Sequence, residues 1–573
     1  MSLDAMIDTA MGKIKADIVI KHVNVLNFFT GQIDKDVDIA IFKDTIAGIG
    51  KDYHGKKEIN GKGKYATAGF IDAHVHIESS MVHVSEYAKA VVRHGTTSVI
   101  ADPHEIANIL GLDGIRFMLY SAKYCPINVF LMAPSCVPAT HFETSGSVMR
   151  AFDINPLFSE KWVLGLGEMM NFPGVLNKDP MVLDKISIAT GKIIDGHAPG
   201  LTGKELNAYI AAGIYSDHET TTKEEALEKL GKGMHIMIRE GTATKDLDAL
   251  LPIINEFNHM RIMFCTDDRH PHDLINQGHI NYMIKRSIQS GVPPILAYKI
   301  ASYPASRYFG LKDIGAIAPG YKADIVLLDD LENVGITSVV KSGRVIIDKS
   351  ELVYEQPVKI PYELRGTVNI KWLTEDDFKI KAEPGRSVRI IKAIPHQIIT
   401  GEIIDRPKEE NGVIVPDLER DYLMLAVVER HRASDNIGLA LIHGFGLKKG
   451  AIASSVAHDS HNIITVGTNF ADMLRAVIRI RSRQGGFAAA VGGEIKANLP
   501  LPIAGLMTEM PVEEVDKKMQ ELLAVTKEMG SVLDDPFMQL GFMALPVIPK
   551  LKLTDKGLFD VEKFDFVDIF VKE

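Results

Sequence analysis

The stretch Ala68-Gly-Phe-Ile-Asp-Ala-His-Val-His-Ile-Glu-Ser-Ser80 decides how the rest of the chain is interpreted. It begins as a short apolar run and ends in His74-Val75-His76, and residues two apart in a β-strand point to the same face. Such a strand delivers two imidazoles to one place, so His74 and His76 are a candidate pair of metal ligands. For an isolated His-x-His motif, two unrelated histidines are an equally good interpretation.

Four later strand-like runs also end in polar residues. These endings are Glu168, His197, His218 with Glu219, and Asp267 with Asp268. In a (β/α)8 barrel all strand ends converge on one face, where catalysis is carried out. These four His and carboxylate endings, added to the first pair, form a ligand set typical of a two-metal site with nitrogen and oxygen ligands.

Three strings of sequence carry a family resemblance. They are Gly69-Phe-Ile-Asp-Ala-His-Val-His-Ile-Glu-Ser-Ser80, Asp102-Pro-His-Glu-Ile-Ala-Asn108 and Gly167-Glu-Met-Met-Asn-Phe-Pro-Gly-Val175. They resemble the amidohydrolase superfamily of metal-dependent hydrolases, and within it the bacterial branch that deaminates adenine. The resemblance runs through almost the whole chain. It implies hydrolytic deamination of adenine to hypoxanthine and ammonia by a metal-activated bridging hydroxide, as in purine salvage.

The resemblance also implies a ligand set. It places His74, His76, Glu168 and Asp267 around one divalent metal, and Glu168, His197 and His218 around the other. Many members of the superfamily bridge the two metals with a carboxylated lysine on the fourth strand. No lysine lies between Val163 and Glu168, so the resemblance implies that Glu168 is the bridge. Mn, Fe and Zn all suit such a ligand set.

Two carboxylates are candidate proton carriers. Asp267, beside the metals, is placed to take a proton from the attacking water and later to return one to the departing amine. Glu219 follows a predicted ligand and is our candidate for the acid that protonates the purine ring. A solvated charge at the start of the next helix is the alternative for Glu219. Asp268 alternates to the other side of its strand, which predicts a supporting role behind the ligands.

The loops after the second and fourth strands contain further candidates. His104 is predicted to hydrogen-bond to the substrate or to a ligand, although an N-cap pattern explains its neighbours Asp102 and Glu105 without any chemistry. Met170 and Asn171 directly follow Glu168 and are predicted to line a flat pocket for a ring. For the methionine, packing in the core is an equally good interpretation.

A polar cluster in the last third of the chain is the remaining candidate. His458 and His461 lie in the loop Ser454-Ser-Val-Ala-His-Asp-Ser-His-Asn462, after a strand-like segment. Such a loop is suited to capping the pocket, excluding water or holding a further metal. A local turn in which the histidines form only nearby hydrogen bonds is an equally good interpretation.

The chain of 573 residues is too long for one hydrophobic core, since single cores stop growing at about 250 to 300 residues. We predict an α/β fold in which a TIM-like (β/α)8 barrel, residues 66–311, is inserted in a small composite β-sandwich of residues 1–65 and 312–365. The sandwich is implied by the resemblance. Residues 370–573 are predicted to form a C-terminal α+β domain with a helix bracketed by Pro511 and Gly530.

Within the predicted barrel, eight strand runs alternate with helix-like segments. The third run, residues 129–132, and the seventh, residues 234–238, contribute no evident ligand. Residues 106–121 and 272–290 are each predicted to form one helix.

Composition limits the function. There are 64 Lys and Arg against 74 Asp and Glu, a net charge of −10, which argues against nucleic acid as a partner and fits a small-molecule substrate such as adenine. The three cysteines are few, which predicts a reducing compartment, and no Pro-Cys-x-x-Cys pair of the other type of zinc nucleobase deaminase is present. No secretory signal and no run of about 20 apolar residues is found, so we expect a cytoplasmic enzyme without membrane contact. We also expect a homodimer or a larger homo-oligomer.

Two other functions compete with deamination. A cyclic amide hydrolase of the hydantoin or dihydroorotate kind would use the same site, but it normally depends on the bridging lysine that this chain lacks. A non-catalytic protein that binds metal or purine would not need Asp267 and Glu219 as proton carriers.

Overall fold

The protein is seen in a computed structural model that describes residues 2–354, 364–395 and 397–571. Residues 355–363, part of the region 312–365 assigned to the β-sandwich, lie outside the described residues. No helix of the described chain is both long and apolar enough to cross a membrane.

The chain begins with helix α1 (Leu3–Ala10) and five short strands that build one end of a mixed sheet. These strands are β1 (Ala16–Asn27), β2 (Gln32–Phe42), β3 (Thr45–Gly50), β4 (Gly55–Asn60) and β5 (Tyr65–Ala68).

Eight parallel strands follow and close into a barrel. They are β6 (Phe70–Val75), β7 (Thr96–Ala101), β8 (Asn128–Ala133), β9 (Val163–Met169), β10 (Ile193–Gly196), β11 (Ser216–Asp217), β12 (His235–Arg239) and β13 (Ile262–Cys265). Strands β6 to β10 pair in sequence order, and so do β11 to β13. Asp267 N–H donates to the His74 carbonyl at 3.0 Å, which joins the last strand to the first. At the other seam, Gly196 N–H donates to Ser216 Oγ at 3.2 Å.

Helices connect the barrel strands, as the alternation of runs predicted. They are α2 (Val84–Val92), α3 (His104–Leu110), α4 (Leu112–Ala122), α5 (Ala151–Ile154), α6 (Phe172–Leu176), α7 (Pro180–Ile188), α8 (Gly203–Ala211), α9 (Lys223–Gly231), α10 (Leu247–Leu250), α11 (Pro271–Asn276), α12 (Ile280–Gln289), α13 (Pro294–Ile300) and α14 (Tyr303–Tyr308). The single helices predicted for 106–121 and 272–290 are wrong, because each is two helices. The first break is at Gly111, whose φ of +57° ends α3 in a conformation that glycine adopts at little cost.

Strands β14 (Ile325–Leu328), β15 (Ile336–Lys341), β16 (Arg344–Asp348) and β17 (Glu351–Leu352) follow the barrel. They join β1 to β5 in one nine-stranded sheet, through the antiparallel pair of β14 with β5. The segments before and after the barrel therefore share a sheet, although more than 250 residues separate β5 from β14.

The remaining residues form a C-terminal α+β region. Its strands are β18 (Ile380–Lys381), β19 (Val388–Ala393), β20 (Thr400–Asp405), β21 (Lys408–Glu410), β22 (Val413–Val415), β23 (Leu423–Val428), β24 (Ile437–His443), β25 (Ala451–Ser454), β26 (Ile463–Gly467), β27 (Gly486–Val491), β28 (Glu494–Pro500), β29 (Leu551–Thr554), β30 (Gly557–Asp560) and β31 (Asp565–Phe566), and its helices are α15 (Phe470–Arg483), α16 (Val512–Glu528) and α17 (Pro536–Gly541). Eight of the strands form one sheet in the order β20-β19-β24-β23-β26-β25-β27-β28. The helix predicted between Pro511 and Gly530 is confirmed as α16, with Pro511 at its N-cap.

The C-terminal region rests directly on the barrel. Thr508 N–H donates to the Met81 carbonyl and His83 N–H to the Thr508 carbonyl, both at 2.9 Å. Asn462 Nδ2 donates to the Thr144 carbonyl at 2.8 Å. These contacts lie at the carboxyl ends of the barrel strands, so the C-terminal region covers the face where the predicted ligands meet.

Candidate active site

The six predicted ligands meet at the carboxyl end of the barrel. His76 Nε2 lies 3.1 Å from Asp267 Oδ1 and 3.3 Å from Glu168 Oε1, and His74 Nε2 lies 3.5 Å from Asp267 Oδ1. All four of these side chains are buried. The first and last barrel strands therefore supply three nitrogen and oxygen donors that face one oxygen of Glu168.

The other oxygen of Glu168 faces a second pair of imidazoles. His197 Nδ1 lies 2.7 Å from Glu168 Oε2, and His218 Nε2 lies 3.3 Å from the same oxygen. Glu168 thus has one oxygen toward each group of ligands, which is the arrangement that a bridging carboxylate requires.

Three features show that these residues fit divalent metal ions. His74 Nε2 and His76 Nε2 lie 3.1 Å apart, and each lies within 3.5 Å of Asp267 Oδ1. The buried Oε1 of Glu168 has no hydrogen-bond partner among the described residues. Nδ1 of His76 lies 2.9 Å from the Asp102 carbonyl and so donates its proton there, which leaves the lone pair of Nε2 free for a metal.

Neighbouring residues hold the Glu168 backbone in place. Glu168 N–H donates to Asp102 Oδ2 at 2.9 Å, and Ser135 Oγ donates to the Glu168 carbonyl at 2.5 Å. A Cβ on Gly167 would lie 2.1 Å from Asp102 Oδ2, so only glycine allows this approach. The third strand, which supplies no ligand, therefore positions the bridge through Ser135, which follows its end.

Two buried aspartates hold the strand ends that carry the histidines. Asp72 accepts from Thr266 N–H at 3.1 Å and from Thr266 Oγ1 at 2.5 Å, which fixes β6 against the segment after β13. Asp217 accepts from Ala198 N–H at 2.7 Å and from Lys229 Nζ at 2.9 Å, which ties the segment after His197 to His218. Both contacts position ligands without touching the centre themselves.

Arg239 lies between the two candidate proton carriers. Its Nη1 donates to Asp267 Oδ2 at 3.0 Å and to Glu219 Oε1. Burial raises the pKa of Asp267, but the adjacent imidazoles of His74 and His76 and the charge of Arg239 outweigh burial and hold that pKa well below its usual range. Glu219 Oε1 also lies 3.6 Å from His218 Nε2, so Glu219 lies beside the ligands.

The ligands open into a cavity whose two sides differ in character. The barrel side is polar and carries the predicted ligands, Glu219 and Arg239. The opposite side, which we call the roof, consists of Ile398, Met538, Phe542, Leu545 and Ile548 from the C-terminal region. A flat aromatic ligand fits between an apolar roof and a polar floor of this kind.

The other predicted residues are placed unequally. Met170, Asp268, His104 and His458 line the cavity. His104 Nδ1 lies 3.2 Å from Glu168 Oε1, while Asp268 accepts a hydrogen bond from Ser79.

Two predicted residues do not line the cavity. Asn171 was predicted to line the pocket, but its Oδ1 accepts from Gly174 N–H at 2.9 Å and caps α6, a local turn that sequence order alone could not exclude. His461 instead contacts the carboxylate of Glu105.

Three contributors to the cavity were not predicted from the sequence. Arg239 ends the seventh strand run, and the polar ending that identified the ligands was present there. Glu105 was explained as part of a helix N-cap, yet it contacts His458 and His461 across the two regions. The roof carried no signal, because its apolar residues resemble any other core residues.

Fold and site together define a metal-dependent hydrolase of the amidohydrolase class, and residues 65–346 match the amidohydrolase family. Residues 397–565 match the adenine deaminase C-terminal domain. The adenine deaminase of Desulfatibacillum aliphaticivorans is 49% identical over 571 residues, which cover 99% of each chain, and that of Thermosipho africanus is 47% identical over 581 residues, covering 100% of each. A solved β-aspartyl dipeptidase from Fervidobacterium islandicum AW-1 aligns with a TM-score of 0.46 and 18% identity, covering 59% of this chain and 99% of the other. The chain belongs to the adenine deaminase family.

Proposed function

We propose that this chain hydrolyses adenine to hypoxanthine and ammonia with two divalent metal ions. The observation that carries the proposal is the position of Glu168, whose two carboxylate oxygens each face a separate group of buried ligands at the floor of the cavity. The full-length similarity to adenine deaminases supports adenine as the substrate.

We divide the ligands into the two groups that the family resemblance implies. His74, His76 and Asp267 would hold one ion, His197 and His218 the other, and Glu168 both. When bound, such ions lower the pKa of a water molecule so that it becomes a nucleophile near neutral pH. Mn, Fe and Zn are all compatible with this mixed imidazole and carboxylate set.

Two carboxylate side chains of the protein transfer the protons that the reaction requires. Asp267, ionised beside Arg239, accepts a proton from the attacking water through a carboxylate oxygen and returns one to the amine as ammonia departs. Glu219 gives a proton to the ring nitrogen next to the reacting carbon and recovers one from the hydroxyl group on that carbon as the carbonyl forms. Arg239 contacts both carboxylates and so fixes the distance between them.

The roof orients the flat ring. Its aliphatic side chains and Phe542 exclude water from above the metal ligands. Met170 closes one side of the cavity, where it packs with Cys136, Ala139 and Val547. The purine is thereby held with its amino edge toward the floor.

Ammonia release from a panel of free bases, nucleosides and cyclic amides tests the proposal, together with metal analysis of the same preparation. Adenine should be the preferred substrate, with two metal equivalents per chain. Preference for dihydroorotate or a hydantoin, or activity that survives exhaustive chelation, would refute it. Adenosine tests whether the roof excludes a ribose.

We infer that the three predicted regions of the chain have separate roles in this function. The region 66–311 carries the chemistry, residues 370–573 supply the roof, and residues 1–65 with 312–365 brace the barrel as the composite β-sandwich.

Cys125, Cys136 and Cys265 are all free thiols, which supports a reducing compartment and hence the cytoplasm. A homodimer or larger homo-oligomer is tested by light scattering of the purified chain.

A further inference from the structure

The His458 side chain is the one polar group with an open ring nitrogen that the loop 454–462 brings to the cavity. His458 Nδ1 lies 2.6 Å from Glu105 Oε1 of the barrel, and its ring stacks on Phe542 with 4.7 Å between centroids and 17° between planes. Among the described residues, no hydrogen-bond partner is found for its Nε2. Glu105 and Phe542 therefore fix the position of the imidazole ring, while its Nε2 is left without a hydrogen-bond partner among the described residues.

We propose, on the basis of the proposed function, that His458 binds the purine by donating Nε2–H to a ring nitrogen other than the one that Glu219 protonates. Adenine offers two such acceptors, N3 and N7. His458 would then be a specificity-determining residue that the C-terminal region contributes to a barrel active site.

The contact with Glu105 determines the protonation of the His458 ring. Burial lowers the pKa of His458, but the charge of Glu105 and the hydrogen bond to it outweigh burial and raise the pKa to about 9. Glu105 is buried, and its Oε1 lies near two imidazoles, His458 Nδ1 and, at 3.6 Å, His104 Nε2. With Nδ1–H held by Glu105, the protonated ring of His458, which lines the cavity, keeps Nε2–H as a charged donor.

A metal held by Glu105, His458 and His461 is the alternative, since their ligand atoms converge. The tautomer of His461 excludes it. Ala457 N–H donates to His461 Nδ1 at 3.1 Å, so that nitrogen carries a lone pair and the proton is on Nε2, the atom that contacts Glu105. A protonated nitrogen cannot bind a metal. In His76 the arrangement is reversed, because Nδ1 donates and Nε2 is free.

The loop is built rigidly around this contact. Arg430 is buried, with its Nε donating to the His461 carbonyl and its Nη2 to the Ala504 carbonyl at 3.1 Å. His431 Nε2 lies 2.8 Å from the Ser460 carbonyl. The loop therefore brings His458 to the cavity in one fixed orientation, so His461 and Arg430 are positioning residues.

Deaza analogues test the proposal directly. The kcat/KM of wild type for adenine, 3-deazaadenine and 7-deazaadenine is compared with that of His458→Gln, using the inhibition constant where an analogue is not turned over. In wild type, replacing adenine by one of the two analogues should lower kcat/KM. This decrease should be about ten- to one-hundredfold larger than the decrease that the same replacement causes in His458→Gln, as expected for loss of a hydrogen bond to a charged donor. Equal penalties for both analogues in wild type and variant would overturn the proposal.

Metal content separates this result from the alternatives. Wild type and His458→Gln should each hold two metal equivalents, whereas a third equivalent that is lost in the variant would overturn the proposal in favour of a metal site. Glu105→Gln should reduce the analogue discrimination in the same direction, while His22→Gln, an exposed histidine paired with Asp36, should leave it unchanged. If wild type does not deaminate adenine at all, the proposed function fails; if it does and discrimination is unchanged in the variant, only His458 is excluded.

Discussion

The floor and the roof of the cavity are built on different principles. The floor consists of side chains at successive strand ends of one barrel, each held by a buried polar neighbour such as Asp102 or Asp72. The roof consists of apolar side chains from separate segments of the C-terminal region, and packing alone holds most of them. We propose that chemistry resides in the floor and recognition in the roof, so substitutions on the two sides should change different kinetic constants.

The largest effect is expected from Glu168→Gln. The amide is nearly isosteric, but it has no negative charge to share between two cations and its nitrogen cannot act as a ligand. Both metals should be lost or weakened and turnover should fall to background. Metal content by elemental analysis and ammonia release measure the two effects. A variant that retains two metals and wild-type turnover would show that the bridge lies elsewhere.

The next effect concerns the proton carriers. Asp267→Asn and Glu219→Gln should each lower kcat by about 10²- to 10⁴-fold, the usual contribution of a general acid or base. Asp267→Asn should also loosen one metal, while Glu219→Gln should keep both, which separates a ligand from a pure proton donor. If Glu219→Gln turns over adenine like wild type, Glu219 is only a charge beside Arg239.

These residues were accessible from sequence because their signal is local. An apolar strand run followed by His, Glu or Asp needs no knowledge of the rest of the fold, and β9 and β13 both end in that way. Arg239 also lies at the end of an apolar strand run, but arginine is not a usual metal ligand, so it was not predicted as a site residue. Glu105 was hidden for a different reason, since its partners are more than 350 residues away along the chain.

The roof could not be predicted because its residues carry no distinctive chemistry. Phe542 and Leu545 lie after α17 in a stretch whose apolar residues equally fit an ordinary core. Only the contact between two distant regions makes them a wall of the cavity. The composite sheet shows the same limit, since the pairing of β5 with β14 rests on long-range contacts and was implied only by the family resemblance.

Substitution of Arg239 should have a smaller effect on activity, and it tests whether this arginine takes part in the function of the floor. Arg239→Met removes the donor shared by Asp267 and Glu219, and kcat/KM should fall by about ten- to one-hundredfold, as for loss of charge-assisted hydrogen bonds. Arg239→Lys keeps the charge but not the forked geometry and should recover only part of the loss. Full activity of Arg239→Met would limit this residue to a structural role.

A roof substitution should change a different kinetic constant. Phe542→Ala removes apolar surface above the cavity while the metal ligands stay in place, so KM for adenine should rise by about tenfold with two metals retained. The exposed Phe152, far along the chain, provides the control Phe152→Ala, which should leave both constants unchanged. A loss of kcat with unchanged KM would contradict the assignment of recognition to the roof.

The smallest effect on turnover is expected from Lys552, which ties two parts of the roof together. Its buried Nζ donates to the carbonyls of Ile398 at 2.8 Å and Phe542 at 2.9 Å, and burial lowers its pKa from 10.5 to about 7. Because the folded state binds this proton less tightly than the unfolded state, the stability of the protein should rise as pH increases from about 7 to about 10.5.

Lys552→Met removes both the proton and the two hydrogen bonds at nearly constant volume. Relative to wild type, the free energy of unfolding of the variant should therefore fall as the pH is raised across that interval, because only wild type gains stability there. Urea unfolding at several pH values from 7 to 10 measures the difference, with the exposed Lys51→Met as control for a general effect of losing a lysine. A constant difference between variant and wild type would mean that Lys552 keeps an ordinary pKa in the folded protein. Its two hydrogen bonds to the carbonyls of Ile398 and Phe542 would then hold the roof segments without a pH-dependent contribution to stability.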